Sequence, residues 1–305
     1  MRVLASSVFG LSLCLSAPAA AQDTVPLPVR IDGPALIELN LTKSERRDGG
    51  PEQVATFTYE VALSKVDADD LRSAVWRLTH VDGQPVEPGA SPSPDLRMTV
   101  DATLTPVSLD NLAEVISVTR RQMEASGELD ETSASSLQSL ALLSPETAAA
   151  MFARDATAIA LGQGTDLFLG EDNPYEMEGA LPWGGVSVLM IGNYRLVEHQ
   201  AASGRAVVRW SQEIDPTSLI EALPALIEGL SGEKAGKEDS SDATDKMQAA
   251  LRNARLENDR QCEFIIDTAT GLAEKIDCLA VIEMVLGEEA SRRETRLIAT
   301  QRLMP

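Results

Sequence analysis

The stretch Gln261–Leu286, QCEFIIDTATGLAEKIDCLAVIEMVL, decides the fold of the chain. Apolar and polar residues alternate on both sides of its centre, and a period of two places alternate side chains on opposite faces of a β-strand. The centre reads DTATG, in which Asp267 can start a turn through its own side chain and Gly271 can supply a positive φ. The stretch therefore predicts a β-hairpin.

The two cysteines of this hairpin face each other if the chain turns about Thr270. Facing residues of a non-hydrogen-bonded strand pair are close enough for a disulfide, so Cys262 and Cys278 are the predicted pair. Two reduced thiols that pack as small hydrophobic side chains are the alternative. The choice depends on the compartment in which the protein folds, because disulfides persist in oxidising compartments.

Residues 1–21, MRVLASSVFGLSLCLSAPAAA, predict export. An early arginine, an apolar run and small residues ending at Ala21 are typical of a secretory signal peptide with an A-x-A cleavage site. The run is too short for a transmembrane helix, and we expect no integral membrane segment elsewhere. A lipid anchor on Cys14 is disfavoured, because Leu13 stands where lipoprotein signals have a small residue.

Export favours the disulfide over the reduced thiols. We expect a periplasmic protein in which residues 22–305 form a single α+β domain, with two cysteines that suit one bridge. The cysteines are then structural and not a redox site.

The chain is strongly acidic, with a formal net charge of −21 at pH 7. This charge disfavours binding to nucleic acid and to anionic membrane surfaces. A solvated acidic surface explains the charge without any partner, and a basic protein partner is the functional alternative.

Three segments in the first third of the chain alternate as antiparallel strands with one apolar face: Ala35–Thr42, Val54–Ser64 and Ser73–His80. The charged segment 43–51, KSERRDGGP, is predicted to be a hairpin loop, and Arg97–Thr105 a further short strand. A sheet with one apolar face needs a cover on that side.

The cover is predicted over residues 107–162, where the apolar period changes to that of helices. Ser108 or Asp110 can cap a first helix, and Ser144, followed by Pro and Glu, is typical of a helix start. The predicted helices are residues 108–127, the last of which is Gly127, Thr132–Leu143, and Ser144 to about Gly162.

The period of two returns after the helices. Further strands are predicted at Thr165–Gly170, Tyr175–Leu181, Val186–His199 and Arg205–Glu213, and a helix from Asp215. Segment 231–245, SGEKAGKEDSSDATD, has no apolar period and is predicted to be a flexible acidic loop. The last strand, Arg292–Leu303, is predicted to lie at an edge of the sheet.

The sequence contains no complete catalytic or metal-binding motif. His80 and His199 each lie in a strand pattern without H-x-x-x-H or C-x-x-C spacing. Ser231-Gly-Glu-Lys234 matches S-x-x-K, but it begins a polar linker without the partner motifs, and we interpret the match as chance. We therefore predict a non-enzymatic protein with no catalytic residue, metal site or cofactor.

Trp183, in the PWGG loop 182–185, is the candidate lip of a hydrophobic cavity. Packing over the sheet edge is the alternative.

The order of elements resembles the LolA/LolB-like periplasmic lipoprotein-carrier-shaped proteins and exported bacterial families of the same shape. Export signal, antiparallel strands, a helical block, further long strands and the terminal hairpin FIIDTATGL (264–272) carry the resemblance over most of the mature chain. It implies a large curved antiparallel β-sheet, an open half-barrel, with a helical block on the concave face. It also implies a role in handling lipids. The long acidic loop and the size of the chain depart from that family.

Two functional hypotheses follow. In the first, the protein is an exported envelope interaction or scaffolding module, whose helices fill the sheet permanently and whose charge faces a basic protein partner. In the second, it is a carrier that binds an apolar ligand or lipid in a cavity between sheet and helices. The space beneath the helices distinguishes them, because it is either packed solid or empty and apolar.

Overall fold

The computed structural model describes residues 24–67, 69–86, 93–180, 187–222, 255–286 and 289–305. Its strands are β1 (Thr24–Pro26), β2 (Ala35–Arg47), β3 (Gln53–Leu63), β4 (Arg72–Val81), β5 (Gln84–Pro85), β6 (Leu96–Val100), β7 (Pro106–Leu109), β8 (Asp166–Phe168), β9 (Asp172–Ala180), β10 (Ser187–Gln200), β11 (Arg205–Ile214), β12 (Arg255–Asp267), β13 (Ala273–Leu286) and β14 (Glu289–Leu303). Its helices are α1 (Leu112–Ser126), α2 (Glu131–Leu140), α3 (Pro145–Phe152) and α4 (Arg154–Ala160), and residues 216–222 are also helical.

One large antiparallel sheet organises the molecule. Its twelve described strands include a continuous path in the order β7-β6-β4-β3-β2-β14-β13-β12-β11-β10-β9, with β5 paired to β4. Strands β7 and β9 end this path without pairing to each other, so the sheet is open. The predicted α+β class with a large, open antiparallel sheet is confirmed.

The hairpin of β12 and β13 has the predicted register. Cys262 lies opposite Cys278, and the two form a disulfide with their Cα atoms 4.0 Å apart. In the turn, the Asp267 carboxylate accepts a hydrogen bond from the Thr270 hydroxyl at 2.8 Å. Gly271 has a φ of 73°. Local turn chemistry and strand periodicity therefore both act as predicted.

The prediction of an edge position for the last strand is wrong. Strand β14 lies between β13 and β2 and pairs with both over most of its length. Its arginines do not mark an edge: Arg296, on the side of β14 opposite to buried Leu297, pairs with Asp277 of β13, and Arg293, on the side of Leu297, pairs with Glu45 of β2. Alternating charge is the same for any strand with one wet face, so it does not distinguish edge from centre.

Two boundaries in the N-terminal part also differ from the prediction. Strand β2 continues to Arg47, so most of segment 43–51 is strand, and the turn is made by Asp48 and Gly49 with φ of 49° and 69°. The charged residues of this segment are compatible with a strand because the acids and bases of β14 lie beside them.

The predicted strand Arg97–Thr105 is interrupted. It ends at Val100, because the Asp101 carboxylate accepts hydrogen bonds from the backbone N–H groups of Thr103 and Thr105, at 2.8 and 3.0 Å, and closes a tight turn. Strand β7 follows this turn.

The helical block occupies residues 112–160 of the predicted 107–162. Asn111, and not Ser108 or Asp110, precedes α1, and Gly127 ends it in the left-handed conformation as predicted. The Ser144 hydroxyl caps α3 by accepting from the Thr147 N–H. The predicted third helix is divided at Ala153 into α3 and α4.

The block packs on one face of the sheet. Buried Ala148, Ala149 and Ile159 of the helices join the same core as Leu41 and Phe264 of the strands. Directly after α4, Gly162 lies against the Phe264 ring so closely that a Cβ would overlap it. Small residues therefore bring the helices into close contact with the centre of the sheet.

An N-terminal segment, residues 24–33, closes one end of this layer. Strand β1 pairs with β8, and the Arg30 guanidinium donates to the carbonyl oxygen of Thr268 in the hairpin turn at 2.6 Å. The Arg72 guanidinium donates to the Ile31 carbonyl at 2.7 Å. The segment thus contacts β8, the turn of the β12–β13 hairpin and strand β4.

Candidate functional site

The large sheet has two faces of opposite character. The inner face carries the buried side chains of Leu41, Phe264 and Ala299 and packs against the helical block. The outer face carries exposed charged residues such as Arg209 and Glu263. Each strand supplies both surfaces, because its side chains alternate between faces.

The space beneath the helices is nearly full. The cavity between the inner face and the block measures about 20 Å³ and is lined by Ile37 and Val61 of the sheet and by Ala156 and Ile159 of α4. This is room for about one water molecule. Ligand pockets for small molecules are commonly about 300–1,000 Å³.

The outer face is hollowed into an open groove of about 1060 Å³. Six charged residues line it, one from each of six neighbouring strands: Asp172, Arg195, Arg209, Glu263, Asp277 and Arg296. We call this surface the outer groove. Among the described residues it is the larger concavity by far, compared with the cavity beneath the helices.

The six charges form three ion pairs between adjacent strands. Their closest N–O distances are 3.5 Å for Arg195–Asp172, 3.0 Å for Arg209–Glu263 and 2.6 Å for Arg296–Asp277. Register also places two like-charged pairs directly opposite each other, Arg195 with Arg209 and Glu263 with Asp277. The order of charge across the groove is therefore acid, base, base, acid, acid, base.

The Arg296–Asp277 pair has the most defined geometry. Arg296 donates from Nε at 2.8 Å and from Nη2 at 2.6 Å to the two carboxylate oxygens. These hydrogen bonds lower the pKa of Asp277 and raise the pKa of Arg296. Both charges therefore persist at neutral pH, in the bidentate arrangement that is strongest for arginine and carboxylate.

One polar atom at the groove has no partner. Asn193 donates from Nδ2 to the Asp172 carboxylate at 3.0 Å, while its buried Oδ1 has no hydrogen-bond donor within the described structure. An unpaired buried carbonyl is unfavourable by about 1–3 kcal/mol.

A second polar feature lies on the inner face, beyond the helical block. The Tyr175 ring crosses strand β10 at Gly192, where a Cβ would overlap the ring. Its hydroxyl accepts hydrogen bonds from Trp210 Nε1 at 2.8 Å and from Gln212 Nε2 at 3.2 Å. The Tyr194 ring lies 5.3 Å from that of Tyr175. Loss of water around these rings raises the pKa of both phenols, to about 12 for Tyr194.

The predicted residues have different outcomes. Cys262 and Cys278 form the predicted disulfide. His80 on β4 and His199 on β10 are not neighbours, because β3, β2, β14, β13, β12 and β11 lie between their strands. The described residues contain no group of three side chains suited to a metal ion.

Several predictions fall outside the described residues. These are the signal peptide of residues 1–21 with Cys14, the candidate lip Trp183, the S-x-x-K match at 231–234 and the acidic loop 231–245. Within the described residues, no helix is long and apolar enough to cross a membrane.

The sequence did not identify the outer groove. It also did not identify the group formed by Tyr175, Tyr194, Trp210 and Gln212, which we call the Tyr175 cluster. Five of the six groove residues are charged positions in predicted strands, whereas Asp172 lies between two of them, and alternation says only that a charged strand position faces water. Strand order and register bring the six together, and neither is readable from one strand at a time. Gly192 inside a strand pattern was the available signal, since such a glycine often marks close approach of another group.

Comparisons with known proteins give distant structural likenesses only. No family model matches the chain, and no curated protein matches it. A lipovitellin structure, titled for its lipid–protein interactions, is 8% identical, covers 90% of this chain and 26% of its own, and has a TM-score of 0.46. This chain thus spans about a quarter of that protein.

Two further solved structures are more distant in shape. DynF of the dynemicin biosynthesis pathway of Micromonospora chersina is 9% identical, covers 94% of this chain and 88% of its own, and has a TM-score of 0.22. Neisserial surface protein A is 6% identical, covers 87% and 95%, and has a TM-score of 0.17. None of these similarities bears on function, and the resemblance to LolA/LolB-like proteins stays one of element order.

Proposed function

We propose that the protein is an exported envelope protein that acts as a non-enzymatic interaction module and binds a partner protein in the outer groove. The single observation that carries this proposal is the contrast between the two faces. The space beneath the helices measures about 20 Å³, whereas the outer groove measures about 1060 Å³. The disulfide supports export, because such bonds persist in oxidising compartments.

A carrier with a cavity between sheet and helices is the weaker hypothesis. An acyl chain requires a continuous apolar space of hundreds of Å³. Ala148 and Ala149 of α3 and Phe264 of β12 are at most 1% exposed, so this space is occupied by the protein's own side chains. These observations therefore favour the interaction module over the lipid carrier.

The charge pattern of the groove defines the partner surface. Like charges directly opposite each other destabilise a sheet, yet Arg195 faces Arg209 and Glu263 faces Asp277. A partner with acidic residues against the two arginines and basic residues against the two carboxylates would relieve both repulsions. The net charge of −21 would attract a partner that is basic overall.

In-cell photo-crosslinking tests this proposal in the envelope of the native cell. A photoreactive residue at Gln261, which lines the groove, should yield one defined adduct with a partner protein. In the double variant Arg209→Glu with Glu263→Arg the ion pair is kept, but the charges across the groove then alternate strictly and both like-charged pairs disappear. The pattern that the partner would match is lost, and the adduct should fall at least about tenfold.

A matched inversion outside the groove is the control. Arg205 and Glu274 form an exposed ion pair at 3.0 Å, and Arg205→Glu with Glu274→Arg should leave the adduct unchanged. Equal loss in both double variants, or no adduct from Gln261 in the otherwise native protein, would reject the groove as the binding surface.

A further inference from the structure

The described arginines fall into two groups. Most form ion pairs with carboxylates: Arg46, Arg47, Arg77, Arg97, Arg195, Arg205, Arg209, Arg292, Arg293, Arg296 and Arg302. The described structure shows no ion pair for Arg30, Arg72, Arg120, Arg121, Arg154 and Arg260. Among these six, Arg154, the first residue of α4, and Arg260 of β12 are close enough for their charges to repel each other. In a chain with a net charge of −21, two neighbouring cations without an acid require an explanation.

Arg260 belongs to the row of the inner face that contains the Tyr175 cluster. It lies directly opposite Gln212 on β11 and Ala280 on β13. Its Nε donates to Asn258 Oδ1 at 3.4 Å, and this is its one hydrogen bond in the described structure. The two terminal amino groups of the guanidinium therefore have no acceptor there.

The Tyr175 hydroxyl is also short of an acceptor. Its oxygen receives hydrogen bonds from Trp210 and Gln212, which use both of its lone pairs. Its own proton remains to be donated, and the described residues offer no acceptor for it. Loss of water around the ring raises the pKa of Tyr175, so the phenol keeps this proton.

Among the described residues, no carboxylate acts on Arg260. Burial is the main cause that lowers the pKa of the Arg260 guanidinium, and repulsion from Arg154 lowers it further. Asp155, the residue after Arg154, does not compensate, because it pairs with Lys43. Both arginines nevertheless keep solvent access. The place is thus open and supplies hydrogen-bond donors from Arg260 and the Tyr175 hydroxyl, with the positive charge of Arg154 nearby.

We propose that Arg260, Arg154 and the Tyr175 hydroxyl bind an oxyanion, a carboxylate or phosphate group, on the inner face of the sheet. The guanidinium fork matches the two oxygens of such a group, and the phenol adds a third donor. The negative charge relieves the repulsion between the arginines. The oxyanion is either a free anion or the headgroup of an anionic lipid, and this site is separate from the outer groove.

The Trp210 indole provides a direct reporter. Its N–H donates to Tyr175, so its resonance responds when the phenol donates to a ligand. The chain has three tryptophans, and a Trp210→Phe variant identifies the signal among the three indole resonances. In the full chain, titration with inorganic phosphate at constant ionic strength should move this resonance in a saturable manner.

Three variants test which residues act. Arg260→Gln should weaken phosphate binding at least about tenfold, because it removes the charge-assisted hydrogen bonds. Arg154→Gln should weaken it about threefold or more, since its charge acts at longer range. Arg121→Gln makes the same charge change at an exposed position on α1 and should bind like the native protein.

Vesicles distinguish the source of the anion. If phosphatidylglycerol vesicles, but not phosphatidylcholine vesicles, broaden the Trp210 resonance and compete with phosphate, the oxyanion is a lipid headgroup. If phosphate binds and vesicles have no effect, it is a free anion. Absence of a saturable Trp210 shift with both probes, or equal phosphate affinity in Arg260→Gln and the native protein, would overturn the proposal.

Discussion

At the scale of single residues, the buried Arg72 side chain attaches the N-terminal segment to the sheet. It is 5% exposed, and its Nη1 donates to the Ile31 carbonyl at 2.7 Å. Burial lowers the pKa of Arg72, and the nearby Asp32 carboxylate opposes that shift. A buried cation bound to a backbone carbonyl is stabilising only while the N-terminal segment stays in place.

We predict that Arg72→Met reduces the free energy of unfolding by about 2 kcal/mol, since it leaves the Ile31 carbonyl unpaired. Urea denaturation measures this loss. Arg77→Met, on the same strand, removes exposed ion pairs with Glu60 and Asp95 and should cost less than about 1 kcal/mol. Equal losses in the two variants would contradict a special role for Arg72.

Gly271 is the second residue on which the N-terminal segment depends. Its φ is 73°, and a Cβ there would collide with the carbonyl of Pro28. We predict that Gly271→Ala destabilises the protein by about 2–3 kcal/mol. Gly83→Ala has a φ of 75° but no atom within 4 Å of the added methyl, so it should cost only about 1 kcal/mol.

Thermal unfolding of Gly271→Ala and Gly83→Ala separates the cost of a positive φ from the cost of the collision with Pro28. If Gly271→Ala is no worse than Gly83→Ala, the Pro28 contact does not stabilise the fold. The comparison uses one chemical change at two left-handed positions, so the difference between them measures the contact.

Residues that act through local rules were predictable from the sequence, and those that act across the fold were not. Ser144 and Gly127 cap helices because of neighbours within a few residues. Arg72 meets Ile31 across 41 positions, and Tyr175 meets Trp210 across 35. Such contacts depend on the strand order, which a single sequence does not display.

At the scale of elements, the disulfide joins β12 and β13 at the middle of their pairing. Cys262 lies beside Trp210 on β11 as well as opposite Cys278, so the bond belongs to a buried row of the inner face. The closed loop has a sequence separation of 16 residues. By chain entropy such a loop stabilises by about 3 kcal/mol.

We predict that the double variant Cys262→Ala with Cys278→Ala loses about 3 kcal/mol of stability in urea. Reductant should lower the stability of the native protein by a similar amount and leave the variant unchanged. Alkylation of both thiols in the purified, non-reduced protein, read by mass spectrometry, would contradict an oxidised pair.

The ion pair between β13 and β14 makes stability depend on pH. Arg296 lowers the pKa of Asp277 below its ordinary value of 3.8, mainly through the hydrogen bonds between them. A lowered folded-state pKa contributes stability that is present above the unfolded-state pKa, near pH 4. That contribution is lost as the pH falls through the folded-state pKa.

We therefore predict that Asp277→Asn is less stable than the native protein at pH 7, by at most about 1 kcal/mol because solvent screens the pair. The difference should shrink as the pH falls through the lowered folded-state pKa of Asp277, because the native side chain then becomes protonated as well. Urea midpoints of both proteins between pH 2 and 7 test this. A difference that persists unchanged at the lowest pH would contradict the ion-pair origin.

Periodicity identified most strands, but their places in the sheet did not follow from it. The hairpin of β12 and β13 was predictable because its turn and its cysteines lie in one short stretch. The edge position assigned to the last strand failed because β14 pairs with β2, more than 240 positions earlier in the chain. The division between α3 and α4 at Ala153 also had no signal in the apolar pattern.

At the scale of the whole molecule, β14 joins the N-terminal strands to the C-terminal strands. Without it, the path β7-β6-β4-β3-β2 and the path from β13 to β9 would be separate sheets. The N-terminal segment adds a further long-range contact, because Arg30 donates a hydrogen bond to the turn of the β12–β13 hairpin. The sheet therefore completes only when the end of the chain is in place, which gives the fold many long-range contacts.

The open sheet and its helical cover were predictable, but the functional surfaces were not. The two periods of the sequence, two and then 3.6, gave the class of the fold. Whether helices fill the inner face depends on how closely Ala148 and Gly162 approach the strands, and this requires coordinates. The outer groove depends likewise on the register of six strands.

We infer that the helical block fills the inner face permanently and leaves the outer groove for binding. Native-state hydrogen exchange tests it most directly, because it gives an opening free energy for each protected amide. We predict that the amides of α3 and α4 open with the same free energy as those of β13 and β14. Exchange of α3 and α4 through a separate opening, several kcal/mol lower while the strands stay protected, would contradict the claim and indicate a removable cover.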